Sequence, residues 1–353
     1  MAIKILVAAL LLWAGFKWLY PSFSKQNAAP PEAPIDQAWW DGLSEEWKTI
    51  LRINQYFYRH RVDFYQVQKD YMNRLNDSTE EQYSALNTSL RNLSEKQKFL
   101  LSYQDLYARV LKTYPDGAND SIDLGSLHQL DKIYMVSGPG DLTPLKKLPN
   151  LKVLIANYCA INHALPIDKQ VLDLEPLRKL NQLEHLHCVT PALKSLEPIK
   201  DLVNLVYLDC ENSDVTTLSP LKNLRNLKHL FFGSKVENAA VIARLSNLET
   251  LFMGGCKQIP DLSKLTKLKK LCIVENELAL VSRKYQLTDI GVLKNLAALE
   301  FLDFELTSYR GSLDNLKSLS KLKAVTLPRV STADMLAFKQ AHKDCVVINA
   351  YEW

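Results

Sequence analysis

Leucine recurs between Leu127 and Leu327 in a self-similar unit, and this restricts the fold more than any other feature of the chain. The clearest copy runs Leu196-Glu197-Pro198-Ile199, then Leu202, Leu205, Leu208 and Cys210. The next runs Leu218-Ser219-Pro220-Leu221, then Leu224, Leu227, Leu230 and Phe232, 22 residues further on. No single helix or amphipathic strand produces a unit of that length. A stack of coils does, each turning its leucines inward. One coil alone cannot bury its apolar face, whereas a leucine fully buried between coils contributes roughly 1.5–3 kcal/mol.

The leading apolar residue of each coil's strand can be followed through Ile133, Leu154, Leu186, Leu208, Leu230, Leu251, Leu271, Leu302 and Val325. The steps are 21, 32, 22, 22, 21, 20, 31 and 23 residues. The two long steps carry extra sequence, 160–171 and 277–289, which reads as insertions in otherwise regular coils. The recurrent Leu-x-Pro-Leu at Leu142–Leu145, Leu174–Leu177 and Leu218–Leu221, with Ile199 closing the copy at Leu196, resembles the bacterial leucine-rich repeats of the internalin type. The resemblance covers about the last two thirds of the chain. It implies a solenoid with a curved parallel sheet and does not itself name a function.

The N-terminus reads as an export segment over 1–20. An uninterrupted apolar run of 12 residues, Ile5 to Phe16, fits the core of a signal peptide and is short for a spanning helix. Lys17 at its end, with Trp13, Trp18 and Tyr20, equally suits a short membrane anchor from Ile3 to Tyr20. Asn27-Ala28-Ala29 is a poor cleavage site, and no cysteine precedes Cys159 to take a lipid. Signal-anchor and cleaved signal both stay open, and both place the rest of the chain outside the cytoplasm. A Pro/Ala-rich linker over 21–37 follows.

Residues 38–120 read as a helical N-terminal cap domain. Ser44 precedes Trp47, Ile50, Leu51, Ile53 and Tyr56 at helical spacing. Ser78-x-x-Glu81 and Ser94-x-x-Gln97 fit capping boxes, the second before Leu100, Leu101, Leu106, Val110 and Leu111. Pro115-Asp116-Gly117 ends the pattern. Trp39-Trp40-x-x-Leu43 to Trp47 is similar to helical segments that precede repeat arrays in bacterial surface proteins. The run Tyr56-Phe57-Tyr58-Arg59-His60-Arg61 reads either as core aromatics with solvated arginines or as a contact for lipid or a partner. The repeats then occupy 121–330, and 331–353 forms a C-terminal cap, with a helix near 333–342 and a last strand at Cys345-Val346-Val347-Ile348.

A net charge of +4, dispersed along 353 residues, does not call for nucleic acid. The six cysteines, Cys159, Cys188, Cys210, Cys256, Cys272 and Cys345, contain no Cys-x-x-Cys. Cys188 and Cys210 fall on inward positions and read as buried thiols. Cys159, Cys256 and Asn276 each lie five residues after a leader, at the Asn/Cys ladder position of such repeats. The sequons at Asn76, Asn87, Asn92 and Asn119 matter only in a eukaryotic secretory host.

Strand side chains alternate, so the residues just before, one after and three after each leader face the concave side of the sheet. There the sequence sets Tyr207, Phe231, Phe252 and Phe301 beside His185, His187, His229, Asp209, Glu211, Asp303 and Glu305. An exposed aromatic cluster rimmed by charge fits a protein partner; the alternative is cross-strand stabilisation among good strand formers. The three histidines with Asp209 and Glu211 could also hold a divalent metal, although chance placement on a polar sheet is the simpler account. No serine elbow, phosphate loop, dinucleotide fingerprint or His-Glu-x-x-His motif occurs, so no catalytic residue, cofactor or metal is assigned. The expectation is an α/β repeat protein, exported and membrane-tethered, that recognises a protein partner on its concave face. Self-assembly into an envelope scaffold is the alternative.

Overall fold

The computed structural model describes residues 34–62, 122–136, 138–157, 159–160, 166, 169–233, 235–254, 259–274, 289–304, 309, 311–327 and 330–349. The export segment, both capping boxes, the sequons, Cys256, Asn276, Glu305 and the 278–286 insertion lie outside these residues. So do most of the helical 38–120 region, most of the linker and most of the 161–170 insertion. No helix among the described residues is long and apolar enough to cross a membrane.

The chain opens with α1 (Gln37–Asp41) and α2 (Glu45–His60). Nine coils follow, carrying β1 (Lys132–Val136), β2 (Val153–Asn157), β3 (His185–His187), β4 (Tyr207–Cys210), β5 (His229–Phe232), β6 (Thr250–Gly254), β7 (Lys270–Val274), β8 (Phe301–Asp303) and β9 (Ala324–Leu327). Then α3 (Thr332–Ala341) leads into β10 (Val346–Asn349). The strands form one ten-stranded parallel sheet in strict chain order. The register is the sequence period made visible. Ile133 pairs with Leu154, and Leu186, Leu208, Leu230, Leu251, Leu271, Leu302 and Val325 continue the line. Val347 of β10 extends it by one strand. All nine leaders are buried.

The Leu-x-Pro-Leu motif forms the opposite, convex side. It becomes short 3-10 turns at Thr143–Lys147, Glu175–Leu177, Glu197–Ile199 and Ser219–Asn223, each with proline at its start. There the fixed φ of proline helps and its missing N–H is not needed. Two side-chain series recur along the coils, one within each coil and one between neighbours. Asp141, Asp173, Ser195, Thr217, Asn238, Asp289 and Ser312 each accept a backbone N–H two residues on, opening the turn that follows. Asn150, Asn204, Asn226 and Asn247 each donate from Nδ2 to a carbonyl of the preceding coil, at 2.7 to 2.9 Å. These asparagines lie four residues before a leader. An inter-coil asparagine ladder therefore runs at that position; of the expected members five residues after a leader, Cys159, Cys256 and Asn276, only Cys159 is among the described residues. Cys159 is a buried thiol, its pKa pushed up to about 12 by burial.

The N-terminal end of the sheet is closed by α2. Ser44 Oγ caps it by accepting from the Trp47 N–H at 3.2 Å, and Trp47 Nε1 donates to the Asp141 carbonyl at 2.8 Å. Asn54 accepts the Tyr134 N–H at 2.8 Å and donates to the Tyr134 carbonyl at 3.2 Å. One side chain thus occupies the open edge of β1 where another strand would pair. Gln55 exchanges a similar pair with Asp123, at 2.7 and 2.9 Å. In the aromatic-basic run, Tyr56 and Phe57 are core residues, Tyr58 is exposed, and Arg59 reaches Asp123 at 3.6 Å.

Candidate functional site

The concave face is built from the residue before and the residue after each leader. Along the first row lie Lys132, Val153, His185, Tyr207, His229, Thr250, Lys270 and Phe301. Along the second lie Tyr134, Ile155, His187, Asp209, Phe231, Phe252, Cys272 and Asp303. The sequence reading therefore places its candidate residues on one face, and Glu211 follows directly after β4. The rings at its centre form a continuous stack. His187 lies parallel to Tyr207 at 4.3 Å, Tyr207 meets Phe231 at 5.3 Å, and Phe231 meets Phe252 at 6.1 Å. Phe301 does not join them: it pairs with Lys270, whose Nζ sits 5.5 Å over its ring.

Exposure departs from expectation. Tyr207 and Phe231 are buried, as are His185, His187 and His229; Tyr207 is 1% exposed. They are not an open aromatic cluster. Lys132, Asp209, Thr250, Phe252, Lys270, Cys272, Phe301 and Asp303 are the half-exposed members of the face. Its half-exposed aromatics begin at β6.

Burial sets the electrostatics of the closed part. His185 is held down to about 4, first by desolvation and then by the neighbouring His187, His229 and Lys132. His229 is likewise held down to about 4 by burial. Both imidazoles are therefore neutral at neutral pH. Glu211 is pushed up to about 8, by burial and then by the charge of Asp209, whose Oδ1 accepts the Glu211 N–H at 3.1 Å. Asp209 Oδ2 lies 3.7 Å from His187 Nδ1.

This arrangement separates the histidines instead of converging them. Tyr207 stands between His185 and His229 in the same row, its ring 5.8 Å from one and 5.9 Å from the other. Among the described residues no group of three or more His, Cys, Asp and Glu side chains is arranged to hold a metal ion. Cys188 and Cys210 are buried free thiols, both raised in pKa by desolvation. Their sulfurs lie 3.6 and 3.3 Å from the carbonyls of Asp209 and Phe231.

One feature beside this face escaped the sequence reading. The residue two before each leader runs Asp131, Lys152, Glu184, Val206, Lys228, Glu249, Lys269, Glu300, Lys323. Lys152 meets Glu184 at 3.3 Å, Glu249 meets Lys228 at 3.8 Å and Lys269 at 2.8 Å, and Lys323 meets Glu300 at 2.6 Å. The signal was available as alternating sign at the repeat period.

No known protein family matches the chain, and no curated protein matches it. Solved structures do. An internalin of Listeria monocytogenes is 20% identical with a TM-score of 0.46, over 65% of this chain and 72% of that one. Internalin C2 of the same organism is 18% identical with a TM-score of 0.42, over 69% and 91%. A leucine-rich-repeat protein of Leptospira interrogans is 18% identical with a TM-score of 0.44, over 64% and 68%. The chain's own in-register leaders carry the solenoid assignment.

Proposed function

We propose that this protein is an exported, membrane-tethered recognition module that binds a protein partner on the β6–β8 part of its concave face. The supporting observation is the set Phe252, Lys270, Phe301 and Asp303, half-exposed on a backbone fixed by the sheet. Two aromatic anchors and two opposite charges held rigid lose little entropy on binding. The chemistry calls for recognition and not catalysis. Export and tethering rest on the apolar segment at Ile5–Phe16. The test is photo-crosslinking in the native host, with a photo-reactive residue at Phe252 or, as a convex control, at Lys222. A distinct protein trapped only from Phe252 is expected; no capture from Phe252 overturns the reading.

Self-assembly is the second reading, and β10 favours it. This end strand carries Val346, 61% exposed, next to α3 with Leu336, 55% exposed. Among the described residues no strand pairs with its outer side, and an unpaired apolar edge is a pairing template. Since Asn54 blocks the β1 edge, assembly would run β10 to β10 and stop at a dimer. A monomer at high concentration in light scattering removes it.

A further inference from the structure

We propose that the turn side of the solenoid binds a linear acidic glycan, laid lengthwise along a row of cations supplied by the coils of β2–β9. Lys146, Arg178, Lys200 and Lys222 each lie eight residues before the leader of their coil, as do Lys294 and Lys317. In the coils of β6 and β7, Arg244 and Lys264 lie seven before. Every coil with a leader from Leu154 to Val325 thus sets a cation at the end of its turn, and most of these side chains are exposed. Between eight and four residues before those leaders stand 13 lysines and arginines and one acid, Asp201. The stacking that aligns the leaders aligns these cations too. Strands repeat about every 4.8 Å, so eight coils carry the row over roughly 34 Å. Asn150, Asn204, Asn226 and Asn247, within the same stretch, bond each coil to the one before and hold that spacing.

The acids of the turn side are sorted as well. Asp141, Asp173 and Asp289 open their turns thirteen residues before a leader, and Glu175, Glu197 and Asp314 lie eleven before. A surface charged only for solubility intersperses the two signs; here each keeps to its own row. A flat anionic surface, such as a lipid leaflet, would meet the acidic row together with the basic one. A single anionic chain lying along the basic row would not. No aromatic stands in the basic stretch, so a nucleic-acid strand would find nothing to stack on. Ten of the 13 cations are lysine, compact charges on flexible stems that suit the sulfates and carboxylates of a glycan. Arg178, Lys200 and Lys317 also pair with the acid three residues earlier. Exposed pairs of this kind are weak, and they yield to a polyanion that meets many cations at once.

The experiment titrates the full chain with heparin in a calorimeter, with neutral dextran as the control. Heparin should bind and dextran should not, and the binding should weaken steeply as salt is raised. A heparin disaccharide should bind at least about tenfold more weakly than the long chain, because it meets few coils. Lys146→Ser with Lys222→Ser and Lys294→Ser should weaken heparin binding at least about tenfold with the melting temperature unchanged. Lys235→Ser with Lys339→Ser and Lys343→Ser removes as much charge from exposed lysines elsewhere and should have little effect. Equal losses in the two variants would mean attraction by net charge alone and overturn the row, as would no heparin binding at all. Duplex DNA or phosphatidylglycerol vesicles bound as tightly as heparin, and lost in the row variant, would overturn the glycan in favour of nucleic acid or a membrane. The row lies on the side opposite Phe252, so partner capture at Phe252 and glycan binding are separable.

Discussion

Asn54 bonds both the N–H and the carbonyl of Tyr134, and so does for the first strand what its next coil does for every other. Asn54 is itself buried, which removes water as a substitute partner.

Asn54→Leu is therefore expected to leave two backbone groups unsatisfied and to lower the unfolding free energy by about 2–4 kcal/mol. Hydrogen exchange should locate the change, with faster exchange at β1 and little at β6–β8. Unchanged exchange at Tyr134 would remove this role.

Stability should peak near pH 6.5. His185 and His229 have folded pKa values near 4, below the ordinary histidine value. As pH falls from about 6.5 toward 4 the unfolded chain takes up two protons that the folded one refuses, and stability drops. Glu211 works oppositely. Held near 8, it keeps its proton longer in the folded state, so stability is lost as pH rises from 4.5 toward 8. Urea midpoints between pH 4.5 and 8.5 test this. His185→Asn with His229→Asn should flatten the acid limb, and Glu211→Gln the alkaline one.

The aromatics of the face should divide into two kinds. Tyr207→Ala removes a buried ring stacked on both sides and is expected to cost about 3–5 kcal/mol, read as a lower melting temperature. Phe252→Ala with Phe301→Ala should leave the melting temperature within a few degrees while abolishing partner capture. Retained capture would exclude the β6–β8 surface.

Leu208→Ala should cost about 2–5 kcal/mol, as a large-to-small change at a site with no exposure. Leu208→Asp should unfold several neighbouring coils together, because each coil is stabilised by its neighbours. Asn226→Ala breaks one inter-coil bond to Val203 and should cost only about 1 kcal/mol. Chemical denaturation orders the three, and a mild Leu208→Asp would disprove the register.

Much of the solenoid was legible in sequence. A leucine that recurs every coil must face inward every time, so the leaders from Ile133 to Val325 could be aligned without coordinates. The membership of the concave face followed from alternation alone. Exposure did not follow, because alternation says which side Tyr207 faces and not how closely its neighbours enclose it. The asparagines at 150, 204, 226 and 247 were missed for a related reason. They lie in the turn between two leucines, where polarity suggests simple solvation, and only the stacked geometry reveals a carbonyl within reach.

The charge stripe beside the concave face records the order of the coils. From Lys228 to Lys323 the signs alternate without a break, so a single duplicated coil sets like charges side by side whereas a duplicated pair does not. Such an array is biased toward lengthening by twos. Val206 is the one uncharged step, and it lies between Glu184 and Lys228. Without the coil of β4, those two opposite charges would be neighbours and the alternation would run from Asp131 to Lys323. The coil that brings Tyr207 and Asp209 to the middle of the sheet is thus the one step that interrupts a strictly alternating row.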